Sequence, residues 1–88
     1  MKANLSEILL QNIEFFGLAP DSEIHPDAAV RQLEIVSTLL KEVSESDLAE
    51  FFAQAERRLE QLRRKGASHE QLSFLENLRE HLGLGDAM

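Results

Sequence analysis

Residues 26–65, PDAAVRQLEIVSTLLKEVSESDLAEFFAQAERRLEQLRRK, carry the pattern that decides the fold. Ala29, Leu33, Val36, Leu40 and Val43 recur every three or four positions, and Leu48, Phe52, Ala55, Leu59 and Leu62 repeat the same alternation. An α-helix turns once every 3.6 residues, so each set lines one helical face. Ile35 and Leu39 widen the first stripe. Pro26 fits the first helical position and Asp27 suits the positive end of the helix dipole. Ser46 offers an N-cap to the second helix of the pair, Arg63, Arg64 and Lys65 match its negative end, and Gly66 stops it. Helices over about 26–43 and 47–65, joined by three residues, are expected to fold back as an antiparallel hairpin.

Working outward, the upstream segment predicts a helix over about 5–16. Asn4 with Glu7 fits a capping box, Leu5, Ile8, Leu9, Ile13 and Phe16 form its stripe, and Gly17 is its expected C-cap. Leu10 and Phe15 fall off that stripe, so the helix is apolar over a wide arc. Downstream, Ser68 with Gln71 forms a second capping box. A helix over about 69–82 follows, with Leu75, Leu78 and Leu82 on one face and Gly83 at its end. Residues 84–88 are expected to fray. The expectation is a single all-α domain over 1–88: a small four-helix bundle, up-and-down or partly orthogonal, without strands.

Composition bounds the function. Eighty-eight residues suffice for one modest core. The absence of cysteine removes disulfides, thiolate nucleophiles and sulfur-ligated zinc, and favours a reducing, cytoplasmic setting. No secretory leader is expected, because Glu7 interrupts the only early apolar run, and no segment approaches membrane-spanning length. The net charge of −7 favours basic protein partners over nucleic acid and anionic membranes.

Candidate chemistry fails residue by residue. His69-Glu70 opens like a zinc-protease motif, but Ser73 occupies the position of the second histidine. His25, His69 and His81 are too dispersed to share a metal. The sixteen carboxylates sit mostly opposite the apolar stripes, as solvated faces do. Neither a glycine-rich phosphate loop nor a nucleophile elbow is present, so the chain is expected to be no enzyme and to need no cofactor. Arg57, Arg58, Arg63, Arg64 and Lys65 share their segment with five acids, and no aromatic is interleaved for base stacking, so helix ends and ion pairs explain them better than nucleic acid does.

The excess negative charge lies toward the two ends of the sequence. Residues 1–25 and 67–88 each carry a net −3, and if the first and last helices are neighbours they make one acidic surface. Leu10, Phe15, Leu18 and Ile24 are surplus apolar residues there, and an apolar centre with a charged rim is the usual anatomy of a protein interface. The candidate binding residues are Glu14, Asp21, Glu23 and Asp27 for steering, with Phe15 and Leu18 as anchors. In length, acidity and helix count the chain is similar to the colicin nuclease immunity proteins, whose format implies an acidic helical surface masking a basic nuclease. That family's tyrosine-tyrosine-proline signature has no counterpart, since the chain contains no tyrosine. The expected function is a protein-binding module of inhibitor, immunity, antitoxin or chaperone type. The alternatives are a structural homodimer sealed by the wide apolar first helix, and a nucleic-acid-associated regulator using the arginines at 57–64.

Overall fold

The computed structural model describes residues 1–84. It is all-α: α1 (Ala3–Leu18), α2 (Pro26–Leu40), α3 (Glu45–Lys65), α4 (His69–Glu76) and the single turn α5 (Leu78–His81), with no strand among the described residues. Leu84 does not fray. Its amide bonds to the Arg79 carbonyl at 2.9 Å and its side chain packs on the core. The rest of the expected tail, residues 85–88, lies outside the described residues.

Local chemistry explains most of the boundaries. Ser44, rather than Ser46, caps α3 by accepting from the Asp47 amide at 3.1 Å, so the helix starts earlier than its periodicity implies. Gly66 ends α3 at φ 72, where a side chain would be strained. Ser68 caps α4 through the Gln71 amide, but the Gln71 side chain turns away to another partner, leaving the box half formed. At α1 the expected box does not form: Asn4 binds the next amide, that of Leu5, and Glu7 points into the protein. The expected last helix breaks at Asn77 (φ −108), whose side-chain amide bonds back to the Ser73 carbonyl at 2.9 Å. No proline or glycine announces this break.

The central element is α1, which packs against α2, α3 and α4. The expected hairpin of α2 with α3 is not seen; these consecutive helices make no extensive contact with each other, and each docks on α1 instead. The buried core joins Leu10 and Ile13 of α1, Leu40 of α2, Phe51 and Ala55 of α3, and Phe74, Leu75, Leu78 and Leu82 beyond. Burying a side chain of this size contributes about 2 kcal/mol.

The face that α1 turns inward agrees with the expected stripe at Ile13, 1% exposed, and departs from it elsewhere. Leu10, read as lying off the stripe, is 0% exposed, whereas Leu5 and Ile8 are 54% and 58% exposed. The buried face runs through Ser6, Leu10, Ile13 and Glu14, and Gly17, itself exposed, stands where that face meets Phe74. Two things select it. Gly17 lies within α1 rather than capping it, and a Cβ there would overlap the Phe74 ring. The carboxylates beside this face also meet a cation on α3. The Met1 amine adds a tie at the start of α1, bonding Asp47 and, at 2.7 Å, Glu50.

Candidate partner-binding surface

Phe15 stands one turn from the end of α1, 54% exposed and edge-on to Phe16 with ring centroids 5.6 Å apart. Leu18 closes the helix, half-buried against the core. The chain then makes one tight turn in which the Glu23 and Ile24 amides both bond to the Pro20 carbonyl. His25 ends the turn as the N-cap of α2, accepting the Asp27 amide on Nδ1 at 3.1 Å. This corner leaves Asp21, Glu23 and Asp27 exposed. Among the described residues neither Asp21 nor Glu23 has an ion-pair partner. Asp27 lies 4.0 Å from His25 Nδ1, a pair only when that imidazole is protonated. Phe15 and Leu18 thus belong to the last turn of α1, Asp21 and Glu23 to the turn that follows and Asp27 to the first turn of α2.

Glu14 does not join them. It is 5% exposed and faces α3, where the Arg58 guanidinium donates to it through Nε and, at 3.3 Å, through Nη2. Gln71 of α4 donates to the same carboxylate at 3.2 Å. Arg58 Nη1 also reaches Glu7 at 2.8 Å, and Glu7 accepts further bonds from Gln54 and Gln11. Burial alone would push the Glu7 carboxyl up, but the Gln54 and Gln11 bonds and the Arg58 charge outweigh it and hold the group below the usual carboxylate range. For Arg58 burial works against the charge, and the bonds and charges of Glu14 and Glu7 outweigh it and raise its pKa. This cluster joins α1, α3 and α4 and is internal. Although α1 and α4 are neighbours, α1 therefore brings no free carboxylate to a shared acidic surface.

Sequence reasoning missed the role of Arg58 by grouping it with the cationic end of α3. A signal was present: Ala55 three residues before it and Leu62 four after it both belong to the apolar stripe, which puts Arg58 beside that stripe. The neighbouring arginines behave as expected at a helix end. Arg63 pairs with Glu76 at 3.1 Å and Arg64 with Glu60 at 3.7 Å.

The outer face of α1 is the second surface feature. Leu5, Ile8 and Phe15 are each more than half exposed, flanked by half-buried Leu9 and Phe16. Leaving about half of each such side chain in water forgoes roughly 1 kcal/mol per residue. A third feature is a cleft of about 330 Å³ between α3 and α4–α5, floored by Phe52, Leu59 and Leu75 and rimmed by Glu56, Glu76 and Glu80. Arg79 covers part of it, its guanidinium 3.8 Å from the Phe52 ring centre. Among the described residues no group of three or more His, Asp or Glu side chains converges as a metal site, and no helix is long and apolar enough to cross a membrane. His81 stacks on Phe74 at 4.6 Å.

No protein-family model, curated protein or solved structure matches the chain.

Proposed function

We propose that this chain is a small protein-binding module, acting without catalysis, that occludes a basic protein partner. The surface is the corner between α1 and α2. Asp21, Glu23 and Asp27 steer the encounter, and Phe15 and Leu18 supply the apolar contact. The observation that carries this reading is a half-exposed phenylalanine near the end of α1 followed by exposed acids that have no fixed cation among the described residues. Carboxylates already bound internally, as Glu7 and Glu14 are, gain little from an incoming cation, whereas solvated ones attract it over a screening length of about 8 Å. The fitting roles are those of an inhibitor, immunity protein, antitoxin or chaperone in a cytoplasmic setting, and a compact bundle of helices is a sufficient scaffold for them. A four-helix arrangement in which α4 and α5 count as one broken helix suits this role, since it leaves the corner clear.

The test is capture from the native cell with three baits: the wild-type chain, the triple reversal Asp21→Lys, Glu23→Lys, Asp27→Lys, and Phe15→Ala. A basic protein held by the wild-type bait and lost from both variants supports the reading. The same proteins on all three baits would overturn it.

A further inference from the structure

We infer that the outer face of α1 is a contact between two copies of this chain. This self-contact stands independently of the proposed basic partner. The face runs along Leu5, Ile8, Asn12 and Phe15, with Leu9 and Phe16 at its margin. Leu5, Ile8 and Phe15 are three exposed apolar residues on one side of the helix; α2 also carries three, Val30, Ile35 and Leu39, but Val30 stands on a different side of that helix from the other two. The α1 face contains no charged side chain from residue 5 to residue 16: the acids of that stretch, Glu7 and Glu14, are turned inward to Arg58. Its one polar side chain is held along the helix, since the Asn12 Nδ2 donates to the Ile8 carbonyl at 2.8 Å, and its Oδ1 is left to accept from water or across the contact.

Charge selects the occupant. The chain carries −7, so two copies repel each other wherever their acidic surfaces meet. The outer face of α1 brings apolar area together without bringing like charges together. It offers a basic partner no carboxylate to recognise. The exposed apolar residues of α2 do not compete as well, because Arg31 lies one turn before Ile35 on the same side as Ile35 and Leu39.

The spacing also fits a two-fold axis. Leu5, Ile8, Asn12 and Phe15 are separated by three, four and three residues, which reads the same in both directions. Two antiparallel α1 helices related by an axis between Ile8 and Asn12 place Leu5 of one copy against Phe15 of the other and Ile8 against Asn12. A self-complementary patch of this kind closes at two copies. A single helix-pair contact lies near the small end of specific interfaces, about 1,200 Å² in total, so the dimer is expected to form in the range of tens of micromolar. Phe15 belongs to this face and to the acidic corner, so a second copy and a basic partner would compete for it; only that competition rests on the proposed function.

Sedimentation equilibrium of the chain alone tests the proposal, with no partner added. The weight-average mass is expected to rise from the 10.0 kDa monomer toward twice that value as concentration approaches about 100 µM. Ile8→Glu and Leu5→Glu, both at exposed positions, are each expected to weaken association at least tenfold while keeping the helical circular dichroism of the wild type. Ile35→Glu on α2 should associate as the wild type does. A wild-type mass of 10.0 kDa throughout overturns the proposal, as does loss of association in Ile35→Glu with retention in both α1 variants.

Discussion

Arg58 of α3 and Glu14 of α1, 44 residues apart in the chain, form an ion pair inside the protein, with two of the guanidinium nitrogens directed at one carboxylate. Glu14 has no solvent to fall back on, and a buried carboxylate without a cation costs several kcal/mol. Arg58→Met is therefore expected to lower the unfolding free energy by about 3 kcal/mol, a fall in Tm of roughly 10–20 °C for a domain of this size. Adding Glu14→Leu to it should recover much of the loss, because a buried pair exchanged for apolar side chains is often neutral. Denaturant titration of the two variants checks this; equal stability of the single and double variants would show that the burial of Glu14 is not what makes Arg58 necessary.

The other carboxylate of the cluster sets a pH dependence. Glu7 is held below the usual range by its hydrogen bonds and by Arg58, so the unfolded chain takes up a proton at this site at higher pH than the folded chain does. Its contribution to stability is complete above the unfolded value of about 4.3 and disappears as pH falls through the lower folded value. Urea midpoints from pH 7 down to pH ~2.5 should drop more steeply for the wild type than for Glu7→Gln below about pH 4.3. Parallel curves would mean that Glu7 has the same proton affinity in both states.

Why some of this was legible and some not follows from where the information resides. The helices α2 and α3, the glycine stop at Gly66 and the cap at Ser68 are encoded within a few residues of where they act. The orientation of α1 is not. Amphipathic period favours the stripe Leu5–Ile8–Leu9–Ile13–Phe16, whereas the fold turns Ile13 and the off-stripe Leu10 inward and leaves Leu5 and Ile8 outside with the off-stripe Phe15. The choice is made by Arg58, Gln54 and Gln71, which receive Glu7 and Glu14, and by Phe74, which fits against Gly17. All four lie more than 35 residues downstream of α1. The exposure of Asp21, Glu23 and Asp27 was legible because solvation is local; the burial of Glu14 was not, because its partner is remote.

Ser6 is fully buried and its hydroxyl has no hydrogen-bond partner among the described residues. An unsatisfied buried hydroxyl is a net cost, and alanine also has the higher helix propensity. Ser6→Ala is expected to stabilise the protein by about 1 kcal/mol, read as a higher denaturant midpoint at unchanged slope. A lower midpoint would show that the hydroxyl is satisfied in solution, by water or by a shared backbone carbonyl.

Gly17 presents the opposite case, in which helix propensity and packing disagree. Within a helix, glycine is worse than alanine by about 1 kcal/mol, so propensity alone predicts that Gly17→Ala stabilises. Packing predicts otherwise: the new methyl would occupy space held by the ring of Phe74, a core residue that also stacks on His81. Overpacking of this kind costs about 1–3 kcal/mol, so packing should win and the variant should be net destabilised by about 1 kcal/mol. The double variant Gly17→Ala with Phe74→Leu separates the two effects. Relieving the overlap should make the methyl favourable, so that Gly17→Ala stabilises the Phe74→Leu background while it destabilises the wild type. The same sign in both backgrounds would mean that α1 does not approach α4 through Gly17, and the inward face assigned to α1, with its outward apolar face, would have to be abandoned with it.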